Sequence, residues 1–352
     1  MLYSEISAQL KQSQFFADLL PLKRGTQIFH LNQSARALLA AHLWANTGKD
    51  IILVSQDDII AEDLWDDLVT LVGRDNAFYL PDYEILPYEE RSPHYSIRAT
   101  RMITLLNAVT DQPAIYSLSI RSFLRYIPSK ASLARHILQL KKGDSIDPDT
   151  LLKSLQNMGY EIEYQVSKVY QAARRGGIVD IFSPPALQPV RLEFWGDEIL
   201  SIRAFSVSTQ RSIPGEVGEV TIIPAREISL DDIDSGSVII SKVRDHGFFE
   251  GIENYFSLLT SELSSFVDYF DNDESIFVFS NFSYVKEEIQ ALTEQTFTQY
   301  HKELKRSSRG KVPKVNKLIL DEEAFYARIN ARETLFVSQS EFILPEIKEN
   351  IR

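Results

Sequence analysis

Short apolar runs alternate with longer amphipathic ones from Gln27 to Leu118, and this alternation restricts the fold more than any other feature of the chain. Gln27–Leu31 reads as a strand, Ser34–Thr47 as a helix with Ser34 as its cap, and Ile51–Ser55 as a second strand. Ile60, Leu64, Leu68 and Leu71 then recur at helical spacing behind Asp57 and Asp58, either of which can cap the segment. A short strand around Phe78–Leu80, a helix over Ser96–Ala108 and the compact run Ala114–Leu118 complete the pattern. Parallel strands need crossover connections, and the crossover helices cover the sheet, so the pattern predicts an α/β unit with a parallel sheet buried on both faces.

Around Pro128 the pattern changes. Ala131–Lys142 is basic and apolar, Pro148 opens a helix that runs to Met158, and strands dominate from there to about Pro224. Arg174-Arg175-Gly176-Gly177 precedes the strand Ile178–Phe182. Val190–Phe194 is separated from Ile199–Phe205 by Trp195-Gly196-Asp197-Glu198, a hairpin signal. In the first of these strands Arg191 and Glu193 alternate with Leu192 and Phe194, which places Arg191 on the wet face. Asp231–Glu274 then carries eleven acidic residues against Lys242 and Arg244, the composition of a solvated face. Ser275–Phe279 reads as a buried strand, Phe282–Tyr300 as a helix, and His301–Lys317 as a loop with seven lysines and arginines.

At 352 residues the chain is long enough for two or three domains at about 150 residues each. Its 44% hydrophobic and 24% charged residues are those of a folded protein. A net charge of −12 repels nucleic acid, so contact with DNA requires a local basic patch. The absence of cysteine excludes disulfides, thiolate metal sites and cysteine nucleophiles, and fits a reducing cytoplasm. Met1–Leu10 lacks the form of a signal peptide, and no uncharged apolar stretch of about 18 residues occurs, so the reading is cytoplasmic, with no membrane partner. The six histidines show no metal-ligand spacing, and no cofactor is expected.

Three blocks carry a specific resemblance. Leu80-Pro81-Asp82-Tyr83-Glu84-Ile85-Leu86-Pro87-Tyr88-Glu89 resembles the Leu-Pro-Asp-Trp-Glu-Thr-Leu-Pro-Tyr element of the bacterial transcription-repair coupling factors (Mfd). Arg175-Gly176-Gly177-Ile178-Val179-Asp180-Ile181-Phe182 is similar to a signature shared by those factors and by UvrB, and Arg191–Ile199 resembles the strand and turn that follow it. The resemblance implies a UvrB-like architecture: a degenerate, P-loop-NTPase-like Rossmann lobe from residues 1–129 and 223–352, with a smaller α/β domain, residues 130–222, inserted between its halves. It implies docking of UvrA on the inserted domain through Arg175, Arg191 and Trp195, and a chain that is one piece of a longer factor. RNA polymerase and double-stranded DNA would then be partners of domains absent here, with an absent carboxy-terminal domain masking the docking surface.

The residues themselves constrain the chemistry. Where UvrB carries a P-loop, this chain reads Phe29-His30-Leu31-Asn32-Gln33-Ser34-Ala35-Arg36, without the glycines and lysine that hold nucleotide phosphates. Leu318-Ile319-Leu320-Asp321-Glu322 looks like a Walker B strand, but without a P-loop Asp321 reads as a helix cap. The interval Pro81–Tyr95 is too short for UvrB's tyrosine-rich DNA hairpin, so Tyr83 and Tyr88 are expected to pack beside Pro81 and Pro87 and not to thread a duplex. Arginine and tryptophan dominate interface energetics, which suits Arg175, Arg191 and Trp195 to docking. Against this, Arg175 has a local ion pair with Asp180 or Glu193 open to it, and Trp195 can fold back onto its hairpin. A non-catalytic docking module is the leading reading. The rivals are a DNA-holding domain using the 302–317 loop, with Lys311, Lys314 and Lys317 as its contacts, and a degenerate nucleotidase.

Overall fold

The computed structural model describes residues 2–10, 13–17, 19–110, 112–184, 186–307 and 312–341. The chain divides into two compact units. One comprises residues 1–127, 250–257 and 263–352, and the other residues 128–249 and 258–262.

The first unit is built on a six-stranded sheet in the order Thr26–Ile28, Glu333–Val337, Ser275–Ser280, Asp50–Ser55, Ile115–Ser119, Ala77–Leu80. Every pairing is parallel. The alternation of side chains along the central strands feeds two chemically different cores. Ile51, Leu53, Ile276 and Val278 join Ala40, Leu43, Leu64 and Leu68 of the helices Gln33–Thr47 and Asp58–Val72 in an aliphatic layer. Phe277 and Phe279 point the other way, into an aromatic cluster with Phe123 and Phe325 whose ring centroids lie 5.7–6.2 Å apart in edge-to-face pairs. A sheet buried on both faces has no room for polar alternation, which is why these strands read as continuous apolar runs.

The loop after Leu80 is a packed structural element. Both Tyr83 and Tyr88 are buried. The Tyr83 ring lies 4.2 Å from the Arg101 guanidinium and 5.3 Å from that of Arg125, which pairs with Asp82 at 3.4 Å. The Tyr88 hydroxyl donates to the Pro313 carbonyl at 2.8 Å.

Several local assignments are corrected. The helix Gln33–Thr47 is capped by Asn32, whose side chain accepts from the Ala35 N–H; Ser34 is the second residue of the helix and donates to Asp67. The strand before it ends at Ile28, because His30 adopts a positive φ of 63°. Asp57 caps the next helix. The helix from Phe282 continues to Arg306, and Val315–Lys317 forms a 3-10 turn, so Lys302, Lys305 and Arg306 belong to a helix end and not to a loop. Asp321 caps the helix Glu322–Ile329, as read from the sequence.

The second unit holds a five-stranded sheet ordered Glu198–Ala204, Val190–Trp195, Ile178–Ile181, Gln171–Arg175, Glu161–Ile162. It is antiparallel except for its last pair. The helix Pro148–Asn157, capped by Asp147, buries Leu151 and Leu155. Residues beyond Ile222 also belong to this unit: the Ala225 N–H donates to the Met158 carbonyl, Arg226 lies over the Phe248 ring, and Asp232 accepts from Ser132, Arg135 and His136.

Candidate functional site

The hairpin Val190–Trp195 with Glu198–Ala204 is closed by Gly196, at φ 59°, and Asp197. Its partner strand places Asp180 directly opposite Arg191. The Asp180 carboxylate is 1% exposed and accepts from Arg191 Nε at 2.7 Å, Arg191 Nη2 at 2.9 Å and Arg175 Nη2 at 2.7 Å. A buried carboxylate needs this density of donors, and the two-pronged contact uses the fork that only arginine offers. Two guanidinium groups on one carboxylate leave the cluster with a net positive charge.

The wet-face assignment of Arg191 is overturned. Its side chain is 11% exposed, with the guanidinium 4.8 Å from the Phe205 ring and Nη1 donating to the Gln210 carbonyl at 3.2 Å. The bonds to Asp180 hold that guanidinium above its ordinary pKa range. The loop carrying Phe205 and Gln210 folds over this end of the sheet, and Phe205 packs there with Val166 and Ala173. Alternation correctly put Arg191 on the face opposite Leu192, but it carries no information about a loop that returns to cover that face.

Arg175 takes the ion pair with Asp180, while Glu193 accepts from Ser201. Its side chain remains 37% exposed. Trp195 stands at the hairpin tip, 78% exposed. The structure thus brings Arg175 and Arg191 together on Asp180 and leaves the indole in water. Asp180 is the residue whose central part the sequence understated. Its signal was a lone acid in the otherwise apolar run Ile178, Val179 and Ile181.

At the position of the P-loop, the side chain of Arg36 is committed to structure. Buried in the first unit, it donates to the Leu31 carbonyl at 3.1 Å, to Ser280 Oγ at 2.7 Å and to Asn281 Oδ1 at 3.1 Å. Among the DNA candidates, Lys314 precedes the turn Val315–Lys317 and Lys317 ends it, both exposed, and Lys311 lies outside the described residues. Among the described residues no helix is long and apolar enough to cross a membrane, and no group of histidine or acidic side chains could hold a metal ion.

Residues 138–228 match the family described as the UvrB interaction domain. That match contains the Arg175–Asp180–Arg191 cluster and Trp195. The transcription-repair-coupling factor of Escherichia coli is 31% identical over 214 residues, 60% of this chain and 18% of that protein. That of Haemophilus influenzae is 35% identical over 152 residues, 43% of this chain and 13% of its own length. Over these stretches the chain is similar to the transcription-repair-coupling factors. A third member, from Myxococcus xanthus, is 34% identical over 210 residues, 57% of the chain and 17% of the protein. The chain therefore spans less than a fifth of the length of the coupling factors it matches.

Proposed function

We propose that this chain is the docking module of a coupling factor, and that its smaller unit binds UvrA through the hairpin tip at Trp195 and the exposed edge of Arg175. One observation carries the reading. A tryptophan is left in water at the end of a hairpin whose base is locked by two arginines on the buried Asp180 carboxylate. Exposing an indole is unfavourable for a free monomer, and a rigid mounting lowers the ordering cost when a partner covers it. Arg191 acts as the positioning residue of this site, holding the two strands in register, while Trp195 and Arg175 make the contact.

The module is non-catalytic in this reading. Support comes from the strand-to-helix turn at 29–32, which lacks the glycines and lysine of a P-loop, and from Arg36, whose three guanidinium nitrogens each donate to a protein acceptor nearby. Its task is recruitment: bound to UvrA, it brings excision repair to a stalled RNA polymerase, with the ATP-driven motor and the contacts to polymerase and duplex DNA supplied by other parts of the coupling factor. Its setting is the cytoplasm.

Titration of the folded chain with purified UvrA tests the proposal. Trp195→Ala is expected to weaken binding by about 30-fold or more, the scale of a hot-spot residue worth about 2 kcal/mol. Arg175→Ala should have a smaller effect in the same direction. A parent chain that fails to bind UvrA overturns the assignment of partner. Unchanged binding by both variants overturns the assignment of surface.

A further inference from the structure

The first unit carries a groove that the docking reading does not use. It lies between the carboxy-terminal half of the helix Phe282–Arg306 and the turn that follows, and holds about 340 Å³. Phe297, Tyr300, Val315 and Ile319 give it apolar walls, and Lys314, Asn316 and Asp321 line it with an ammonium, an amide and a carboxylate. Phe297 is 47% exposed although it stands on a well-formed helix. Tyr300 is fixed as a wall by its contact with Tyr88, at 5.9 Å between ring centroids.

The lysine ammonium groups nearby are free, while Asp321 spends one carboxylate oxygen, Oδ1, on the Ala324 N–H. Among the described residues Lys305, Lys314 and Lys317 form no ion pair, whereas Lys49, Lys142 and Lys168 are each matched to a glutamate. A flat ring open to solvent, an unmatched ammonium and an amide–carboxylate pair are together the complement of one chemical unit. The aromatic walls stack a base, the carboxylate and amide meet an exocyclic amine and its neighbouring ring nitrogen, and the ammonium meets a phosphate. The volume falls in the range of sites that enclose a small ligand.

We infer that this groove binds a single nucleotide unit with an amino-bearing base, either as a free mononucleotide or as one residue of a single strand. With a net charge of −12 the whole molecule repels polyanions, so the site holds its ligand through stacking and one local cation. Asp321 sets a preference: thymine has no exocyclic amine to offer a carboxylate, and its strands should bind more weakly than those of adenine.

Two probes distinguish the sources: AMP, and fluorescein-labelled oligo-dA and oligo-dT of about eight nucleotides, a length within the usual single-strand footprint. Calorimetry follows the first and anisotropy the others. Oligo-dA is expected to bind more tightly than oligo-dT, and Phe297→Ala to weaken oligo-dA about tenfold, the loss of one stacked base. Lys314→Gln should lower the slope of log affinity against log salt by about 0.7, one phosphate contact on a single strand. Binding of AMP with the same dependence on Phe297 assigns the site to free nucleotides, and binding of oligonucleotide alone assigns it to single strands. The inference is overturned if neither probe binds at about 1 mM, or if binding is indifferent to Phe297→Ala. Because the site lies outside the UvrA-docking unit, Trp195→Ala should leave these titrations unchanged.

Discussion

Asp180 sits in a strand otherwise made of Ile178, Val179 and Ile181, where an unpaired carboxylate would cost several kcal/mol in lost hydration. Three donors from two arginines remove that cost, and the two partners do so unequally, because Arg191 is nearly enclosed and Arg175 is more than a third exposed. Asp180→Asn, which keeps the shape and removes the charge, should therefore lose about 3 kcal/mol, the scale of a broken buried pair. Arg175→Ala should lose less than about 1 kcal/mol, as exposed pairs do. Urea unfolding midpoints at unchanged slope measure both. Equal losses would show that Arg175 is as structural as its neighbour and would remove it from the proposed contact surface. The residues of the proposed site came forward through the family resemblance, and their types suit an interface. Their convergence was not legible in the sequence, because it depends on Arg191 and Asp180 facing each other across a register that one sequence does not display.

Period and turn chemistry revealed the principal elements of the sheet and the helices that cover it, because a run such as Asp50–Ser55 has few other uses. The ends of elements were less legible. Asn32 and Ser34 are both competent caps two residues apart, and the backbone, extended at Asn32, decides between them. The helix from Phe282 runs on to Arg306 because nothing between Tyr300 and Lys305 breaks it; the lysines that suggested a loop are good helix formers favoured near a carboxy terminus. Gly177 shows the opposite case, a position where the element tolerates one residue only. Its carbonyl accepts the Phe194 N–H at 2.7 Å, and a Cβ there would stand 2.9 Å from the Phe194 carbonyl oxygen. Gly177→Ala should force the two strands apart at the proposed docking edge and cost about 1–3 kcal/mol, the range for overpacking. Gly176→Asn, at φ 59° with open space around it, should cost less, because asparagine tolerates a left-handed backbone. Thermal melts of the two variants compare them directly, and a larger loss at Gly176 would mean that backbone conformation, and not close approach, governs this turn.

At the scale of the whole molecule the two units own separate cores. Leu53 lies in the aliphatic layer of the first, and Leu192 is fully buried in the second. Residues 223–249, which the sequence reading gave to the second half of the lobe, pack with residues 128–222, and here the sequence offered little guidance: the segment is acidic and loop-rich, and what assigns it are pairings such as Ala225 with Met158 and Asp232 with His136. Separate cores have a thermodynamic signature, because a substitution in one acts on the contacts of that unit alone. Leucine-to-alanine changes at buried sites cost about 2 to 5 kcal/mol. In scanning calorimetry Leu53→Ala should therefore lower one unfolding transition and leave a second in place, and Leu192→Ala should do the reverse. For UvrA docking this predicts a practical separation: Leu53→Ala, at a temperature between the two transitions, should retain binding that Leu192→Ala has lost. One transition moved equally by either substitution would show that the two cores unfold together, and the smaller unit would then depend on the lobe to present Trp195.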